Sequence, residues 1–380
     1  MVQITLEIVS PVTTDQVLKT LEGVRDPELG GNVVELGMIT DVVIDGPTVD
    51  IGLALTIAEC PLRSQIESDT RRRVGSMPGV EIVNLRTTAM TKRQRAELMS
   101  VARRNARENA EPTQVGSTTR VIAVASGKGG VGKSSISVNL AAGLAAEGFT
   151  VGLLDADIWG FSIPRMIGAQ GKLEAGANSR LIEPVTAQGV KVVSTGLIIE
   201  SEETALMWRG LMLSKALEQF LKQVNWGDLD YLILDMPPGT GDVQMALTRL
   251  LPQAEMVVVT TPQTAAQRVA IRVADMARRS HMPVVGVIEN MSGDVFGQGG
   301  GGELAAELGV PLLASIPLDH AMVEGGDTGR PVVVRPGSGP AALALAAAVE
   351  KVMAVVPPAD METCTGRIAK LIADLEDGAA

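Results

Sequence analysis

The sequence predicts an α/β protein in which a doubly wound, mainly parallel sheet follows a small α+β domain. Two observations support this prediction. From residue 120 onward, short apolar segments typical of buried strands alternate with helical segments, which is the pattern of a parallel sheet covered on both faces. Before residue 90 the elements are shorter, and residues 45–47 form a turn signal of the hairpin type.

The small domain is predicted from apolar periodicity, cap residues and turn signals within residues 1–90. Its predicted elements are a helix capped by Thr13 or Thr14, a hairpin of residues 39–44 and 48–56, a helix from Pro61 to residue 74, and a strand over residues 80–85.

The composition changes after residue 90. A polar, Arg-rich and helix-prone stretch is followed by a segment of Pro, Gly, Ser and Thr at residues 111–119, which is typical of a linker. The predicted organisation is a small α+β domain at 1–90, a basic helix and linker at 91–118, the larger domain at 119–356, and a tail with a short amphipathic helix at 357–380.

In the larger domain, strands and helices alternate along the chain. The predicted strands are residues 120–125, 150–154, 231–234, 256–260 and 284–288, and the predicted helices are 134–147 and 265–279. Six residues at 297–302 include five glycines, and we expect them to form a flexible connection.

Composition excludes several classes of protein. The net charge of −11 argues against binding nucleic acid through the whole surface. Two cysteines exclude a disulfide framework and a four-thiolate metal or cluster site within one chain, and two histidines argue against a His-rich metal centre. No segment resembles a signal peptide or a membrane anchor, so the expected location is the cytoplasm.

A phosphate-binding loop is the strongest motif. It follows a predicted strand, precedes a predicted helix and matches G-x-x-x-x-G-K-[ST]. Glycines let backbone N–H groups surround phosphate oxygens, and the helix N-terminus adds partial positive charge. Lys133 is expected to reach the β- and γ-phosphates, and Ser134 to bind Mg²⁺. The predicted nucleotide-binding residues of the loop are Gly127, Lys128, Gly129, Gly130, Val131, Gly132, Lys133, Ser134 and Ser135.

Carboxylates follow two other predicted strands. Asp155 and Asp157 end the strand after the loop helix, and Asp235 ends a later apolar strand. Because ligands of such sheets bind at the carboxyl ends of the strands, these side chains are candidates for one site. Asp242 is more simply explained as a helix cap.

The second lysine of the loop, Lys128, makes the sequence similar to the deviant Walker-A ATPases, the group that includes MinD, ParA and the nitrogenase iron protein. The resemblance implies a homodimer in which Lys128 reaches the partner's nucleotide and acts in catalysis. It also implies that Asp157 orients or deprotonates the attacking water, that Asp235 and Asp155 support Mg²⁺ together with Ser134, and that Asn290 hydrogen-bonds adenine. The nucleotide implied is ATP.

Longer motifs narrow the resemblance to the Mrp/ApbC family of iron–sulfur cluster carriers, including the small domain often fused ahead of them. The motifs lie at residues 26–28, 36–37, 56–61, 154–160, 208–210, 234–242 and 287–292. The family implies an iron–sulfur cluster as cargo and, as partners, iron–sulfur assembly proteins or apoprotein targets.

One departure concerns the cluster ligands. Cluster-carrying members place a C-x-x-C soon after the segment that matches residues 289–292, and this chain has no cysteine there. Cys60 is then the candidate thiol ligand, since a helix N-terminus lowers a thiol pKa, whereas Cys364 lies in the tail. Two possibilities stay open: Cys60 from two chains substitutes for the missing pair, or the protein binds no cluster itself.

The alternative function is a positioning switch of the MinD or ParA kind on membrane or DNA. The predicted tail helix at residues 366–375 has no aromatic residue, and acidic side chains lie in and just after it, so we expect no membrane binding. The only basic stretch, residues 92–107, is more simply a solvated helix, so we expect no nucleic-acid binding.

Overall fold

The computed structural model describes residues 12–26, 29, 31–56, 63–108, 110–158, 160–176, 181–198, 210–239, 241–335, 337 and 339–359. The chain divides into two compact units, residues 1–109 and 110–380. None of the helices within the described ranges is long and apolar enough to cross a membrane.

The first unit packs helices on a three-stranded sheet of order β1-β2-β3. β1 and β2 form the predicted antiparallel hairpin, and β3 lies parallel to β2. Thr13 caps the first helix in a capping box with Gln16. The elements are α1 (Thr14–Leu21), β1 (Ile39–Asp45), β2 (Thr48–Leu55), α2 (Arg63–Gly75), β3 (Ile82–Ala89) and α3 (Lys92–Glu108).

Helix α3 belongs to this first unit, whereas its charge pattern had suggested a separate segment with the linker. Leu98 and Ala102 are buried in the core of the unit beside Met90. Two apolar side chains one turn apart are enough to dock a helix that is otherwise charged. The units divide after residue 109, at the end of this helix and just ahead of the predicted linker at residues 111–119.

The second unit contains an eight-stranded sheet of order β13-β12-β11-β4-β10-β5-β9-β8 and a separate two-stranded ribbon, β6-β7. The strands are β4 (Arg120–Ser126), β5 (Val151–Asp155), β6 (Glu174–Ala175), β7 (Ile182–Glu183), β8 (Val185–Ala187), β9 (Val190–Val193), β10 (Tyr231–Asp235), β11 (Glu255–Thr260), β12 (Val284–Ser292) and β13 (Leu312–Pro317). The helices are α4 (Lys133–Ala146), α5 (Ile163–Ile167), α6 (Gly210–Gln223), α7 (Asp242–Leu250), α8 (Thr264–Arg279), α9 (Gly300–Leu308), α10 (His320–Thr328) and α11 (Pro340–Val355), with 3-10 turns at Thr195–Leu197 and Val332–Val334.

Both faces of the large sheet are buried, as the uninterrupted apolar strands predict. Along β4, Val121 and Ala123 face a core shared with α6, α7, α8 and α9, whereas Ile122 and Val124 face a second core shared with α4, α5 and α11. All neighbouring strands pair in parallel except β8, which runs antiparallel to β9. The predicted doubly wound, mainly parallel fold is confirmed.

The strand order places β4 between β10 and β11, near the middle of the sheet. The chain leaves β4 through α4 and returns as β5, beyond β10, whereas it leaves β10 through α7 and returns as β11, on the other side of β4. Connections that diverge in this way open a crevice at the carboxyl ends of the strands. The loop after β4 lies in that crevice.

The predicted flexible connection at residues 297–302 and the predicted linker at residues 111–119 both form ordered structure in part. Residues 300–302 are the first turn of α9. The stretch 111–119 is attached to the second unit: the Gln114 N–H donates to the Leu221 carbonyl at 2.8 Å, and the Thr119 hydroxyl to the Leu229 carbonyl at 2.9 Å. In both cases contacts from residues distant in sequence determine the structure.

Candidate functional site

The loop at residues 127–133 joins β4 to α4 and shows why its glycines are needed. Gly130 and Gly132 have φ of 79° and 81°, a left-handed conformation that residues with a Cβ rarely adopt. Gly132 is also the N-cap of α4. A Cβ on Gly127 would lie 2.5 Å from the backbone carbonyl carbon of Val269 in α8, so only glycine permits this approach.

Three side chains from the start of α4 converge on the Asp235 carboxylate. The Lys133 ammonium lies 2.7 Å from Oδ1, the Ser137 hydroxyl donates to Oδ1 at 2.7 Å, and the Ser134 hydroxyl donates to Oδ2 at 2.6 Å. Lys133 and Asp235 are both buried. The helix start and the end of β10 therefore form one connected polar cluster.

Asp155 lies beside Asp235, because the two residues are register partners at the ends of β5 and β10. Its Oδ2 accepts hydrogen bonds from the Ser194 hydroxyl at 3.0 Å and the Ser162 N–H at 3.3 Å. Burial, together with the neighbouring Asp235 charge, raises the pKa of Asp155 to about 8. The site thus holds two adjacent carboxylates, of which only Asp235 is paired with a cation.

Asp157 and Lys128 are more exposed than the buried ion pair of the cluster. Asp157 is partly buried, and the Gly160 N–H donates to its Oδ1 at 3.2 Å. Burial raises the pKa of Asp157 above its ordinary value, which makes it a stronger base. Lys128 is exposed, as are Gly129 and Gly130.

Asn290 hydrogen-bonds the backbone of the phosphate loop. Its amide nitrogen donates to the Val131 carbonyl at 2.9 Å, and the residue is buried. Gly132 lies so close to this amide that a Cβ at position 132 would collide with it. In this structure Asn290 therefore contacts the backbone of the phosphate loop, a contact that the sequence did not predict; its predicted contact with adenine stays a prediction.

Sequence reasoning did not identify three further polar residues. Ser137 lies four residues after Lys133, and this helical spacing was the only available signal for its contact with Asp235. Ser194 comes from the end of β9 and Glu289 from β12, and their roles depend on contacts with residues distant in sequence.

The donor set suits a magnesium ion. Ser134 offers a hydroxyl oxygen, and Asp235 and Asp155 offer carboxylate oxygens, which are the hard ligands that Mg²⁺ prefers. No group of three or more His, Cys, Asp or Glu side chains is arranged to hold a metal among the residues that the structure describes. Both cysteines, Cys60 and Cys364, lie outside those residues, as do the predicted tail helix and Trp208.

Comparison with known proteins identifies two families that match this chain. The family described as NUBPL iron-transfer P-loop NTPase matches residues 117–353, and the family described as iron–sulfur cluster assembly protein matches residues 14–85. Among curated proteins, an iron–sulfur cluster carrier protein of Synechocystis is 44% identical over 355 residues, which cover 90% of this chain and 97% of that protein. Its counterpart in Mycobacterium leprae is 45% identical over 337 residues, covering 84% and 87%.

Among solved structures, a nucleotide-binding protein of Archaeoglobus fulgidus in complex with ADP is 34% identical, with a TM-score of 0.49. The match covers 60% of this chain and 91% of that protein.

Proposed function

The chain belongs to the family of NUBPL iron-transfer P-loop NTPases, and from this premise we propose that it works as an ATP-hydrolysing homodimer that carries iron–sulfur clusters to apoproteins or assists their assembly there. The observation that carries the nucleotide part is the convergence of Lys133, Ser134 and Ser137 on Asp235. The alternative, a positioning switch on membrane or DNA, is not favoured, because the curated relatives are iron–sulfur cluster carrier proteins.

In the proposed mechanism the loop amides and the Lys133 ammonium bind the β- and γ-phosphates of ATP. Ser134 and Asp235 would hold Mg²⁺, with Asp155 beside them. When bound, Mg²⁺ neutralises phosphate charge. Ser137 keeps the Asp235 carboxylate oriented, since its hydroxyl donates a hydrogen bond to the carboxylate.

Asp157 and Lys128 carry the catalytic step. The Asp157 carboxylate, made more basic by burial, accepts a hydrogen bond from the attacking water and holds it in line with the γ-phosphate. Lys128 is exposed at the loop and reaches the nucleotide of the partner subunit, where its charge stabilises the transition state as an arginine finger does. Hydrolysis then depends on assembly of the dimer.

The cargo in this proposal is an iron–sulfur cluster held by cysteine thiolates from two chains. Cys60 is the proposed ligand, so a dimer offers one Cys60 thiolate from each chain, and thiolates are the usual ligands of such clusters. Nucleotide binding and cluster carriage can be tested separately.

For the nucleotide site, ATP turnover and ADP binding are compared in Lys133→Ala, Lys128→Ala and the control Lys172→Ala, which removes an exposed lysine outside the site. We expect Lys133→Ala to abolish turnover and weaken ADP binding. We expect Lys128→Ala to lower turnover much more than ADP binding, and Lys172→Ala to match the wild type. Equal losses of binding and turnover in Lys128→Ala would contradict its action in trans.

For the cargo, iron and sulfide are measured after anaerobic purification of the wild type, Cys60→Ser and Cys364→Ser. We expect bound iron and sulfide in the wild type and their loss in Cys60→Ser, with Cys364→Ser unchanged. A wild type without iron or sulfide after reconstitution would exclude cluster binding by this chain and leave ATP-driven assistance to an assembly partner.

A further inference from the structure

Glu289 is a buried carboxylate that the proposed mechanism does not use. It lies near the end of β12 and is 1% exposed, and the groups that donate to it within the described part of the chain are backbone amides and serine hydroxyls. Its Oε2 accepts the Gly301 N–H at 2.6 Å, and its Oε1 accepts the Ser315 hydroxyl at 2.7 Å and the Gly299 N–H at 3.2 Å. A carboxylate buried without a cation is stable only when several donors surround it, so this arrangement is specific to an acidic side chain.

The glycines of α9 are required for this contact. A Cβ on Gly301 would lie 2.5 Å from the Glu289 Cβ, and a Cβ on Gly300 would collide with the Pro262 carbonyl. The N-terminus of α9 therefore lies directly against β12, and its free amides and partial positive charge face the Glu289 carboxylate. Ser315, the register partner of Glu289 on β13, donates its hydroxyl hydrogen bond from the neighbouring strand.

Asn290, the next residue along β12, connects Glu289 to the nucleotide site. Consecutive side chains of a strand point to opposite faces, so Glu289 faces α9 while Asn290 faces the phosphate loop and donates to the Val131 carbonyl at 2.9 Å. Met291, which follows, has a φ of 58°, an uncommon conformation for a non-glycine residue. An uncommon backbone conformation of this kind persists only when surrounding contacts stabilise it, here those of Glu289 and Asn290.

We propose that Glu289 is a positioning residue of the nucleotide site: by anchoring the end of β12 to the first turn of α9, it holds the Asn290 amide against the Val131 carbonyl and so maintains the loop conformation that binds phosphate. This inference rests on the proposed nucleotide site. It assigns Glu289 no contact with the nucleotide, so its effect passes through Asn290.

The test uses the full chain and measures the dissociation constant for ADP together with kcat and KM for ATP. Glu289→Gln keeps the shape of the side chain and removes its charge. We expect it to raise the ADP dissociation constant and the ATP KM about tenfold, because the hydrogen bonds to Glu289 lose their charged acceptor. We expect kcat to stay within about twofold. The matched control is Glu303→Gln, which removes an exposed charge from the first turn of the same helix and is expected to change neither constant.

A double-mutant cycle separates positioning from a general loss of structure. If Glu289 acts through Asn290, Glu289→Gln combined with Asn290→Ala raises the ADP dissociation constant no further than Asn290→Ala alone. Fully multiplicative effects, or a Glu289→Gln variant that binds ADP like the wild type, would overturn the proposal. Should Glu289→Gln fail to fold, Ser315→Ala removes one donor and keeps the charge; we expect a rise of about threefold, and an unchanged constant overturns the proposal equally.

Lys133→Ala in the same experiment distinguishes failure of the proposed nucleotide site from failure of the proposed role of Glu289. A Lys133→Ala variant that binds ADP like the wild type contradicts the nucleotide site itself. Loss of binding in Lys133→Ala with none in Glu289→Gln contradicts only the role of Glu289.

Discussion

The large sheet buries carboxylates at two places along its carboxyl edge, and the two places differ in the groups that surround them. At the ends of β5 and β10, Asp155 and Asp235 lie side by side with one ammonium group, that of Lys133. Near the end of β12, Glu289 lies among backbone amides and a serine hydroxyl. Burial acts on all three, yet it raises the pKa of Asp155 to about 8, whereas at Glu289 the hydrogen bonds outweigh burial and hold the pKa below its ordinary value.

The difference shows which carboxylates are available for chemistry. Two adjacent like charges with a single cation are stabilised further when another cation binds, which is the situation of a magnesium site. A carboxylate whose oxygens already accept several hydrogen bonds gains little from another ligand and serves as a fixed support. This difference fits the ligand-binding role proposed for Asp155 and Asp235 and the supporting role proposed for Glu289.

The largest expected effect is that of Asp235→Asn. The substitution leaves the buried Lys133 ammonium without its counter-charge, so we expect the free energy of unfolding to fall by about 3 kcal/mol and ATP turnover to be lost. Denaturant unfolding and an ATPase assay measure the two effects. The matched control is Asp228→Asn, which removes an exposed carboxylate; a variant at position 235 as stable as this control would contradict the importance of the ion pair.

A pair of alanine substitutions in α9 tests the close approach at Glu289. Gly301→Ala places a Cβ 2.5 Å from the Glu289 Cβ, so we expect a loss of about 2 kcal/mol in the free energy of unfolding. At Gly302 a Cβ meets no atom within 4 Å, so Gly302→Ala is expected to stabilise the helix by about 0.5 kcal/mol. Similar changes in the free energy of unfolding at both positions would contradict the close packing of α9 against β12.

The pH dependence of Glu289→Gln tests the lowered pKa. A carboxyl group whose folded-state pKa lies below its ordinary value of 4.5 contributes stability at higher pH and loses that contribution as the pH falls through the folded-state value. We therefore expect the stability difference between wild type and variant to be constant, at about 1.5 kcal/mol, between about pH 6 and 8, and to shrink below about pH 4.5. A difference that stays the same down to pH 3 would show that the charge of Glu289 contributes nothing.

Asp155→Asn is expected to show the opposite trend in metal-free protein. Because the folded-state pKa of Asp155 is raised, from an ordinary value of 3.8 to about 8, the wild type loses stability as the pH rises between these values. The variant should therefore gain relative to the wild type over that range. The new amide nitrogen facing the Asp157 N–H lowers the variant's stability by an amount that does not depend on pH, so it leaves this trend unchanged. Parallel pH profiles for wild type and variant would refute the raised pKa.

The short motifs were predictable because their chemistry is local. A loop of the form G-x-x-x-x-G-K-S between a strand and a helix indicates its own conformation, and the structure shows the left-handed glycines at positions 130 and 132. The apolar strands followed by Asp155 and Asp235 indicated neighbouring carboxylates, since parallel strands end at one edge, and the two residues are register partners. These predictions needed no knowledge of distant contacts.

The missed features all depend on residues far apart in the chain. The glycines at 297–302 suggested a flexible connection, yet three of them begin α9, because only glycine lets that helix approach Glu289 and Pro262. The segment around Gln114 was predicted to be a linker, and its contact with Leu221, whose carbonyl accepts the Gln114 N–H more than a hundred residues later, could not be predicted. Composition reports local flexibility and carries no information about such partners.

The sequence by itself determined the fold class, the phosphate loop and the strands that end in carboxylates, because periodicity and turn chemistry act over a few residues. Only the tertiary structure decided how those groups are used: that Ser137 and Ser194 hold Asp235 and Asp155, that Asn290 supports Val131, and that Glu289 is a buried anchor. The physical reason is that burial and hydrogen-bond partners set the charge state of a carboxylate, and both arise from strands and helices that the chain brings together only on folding.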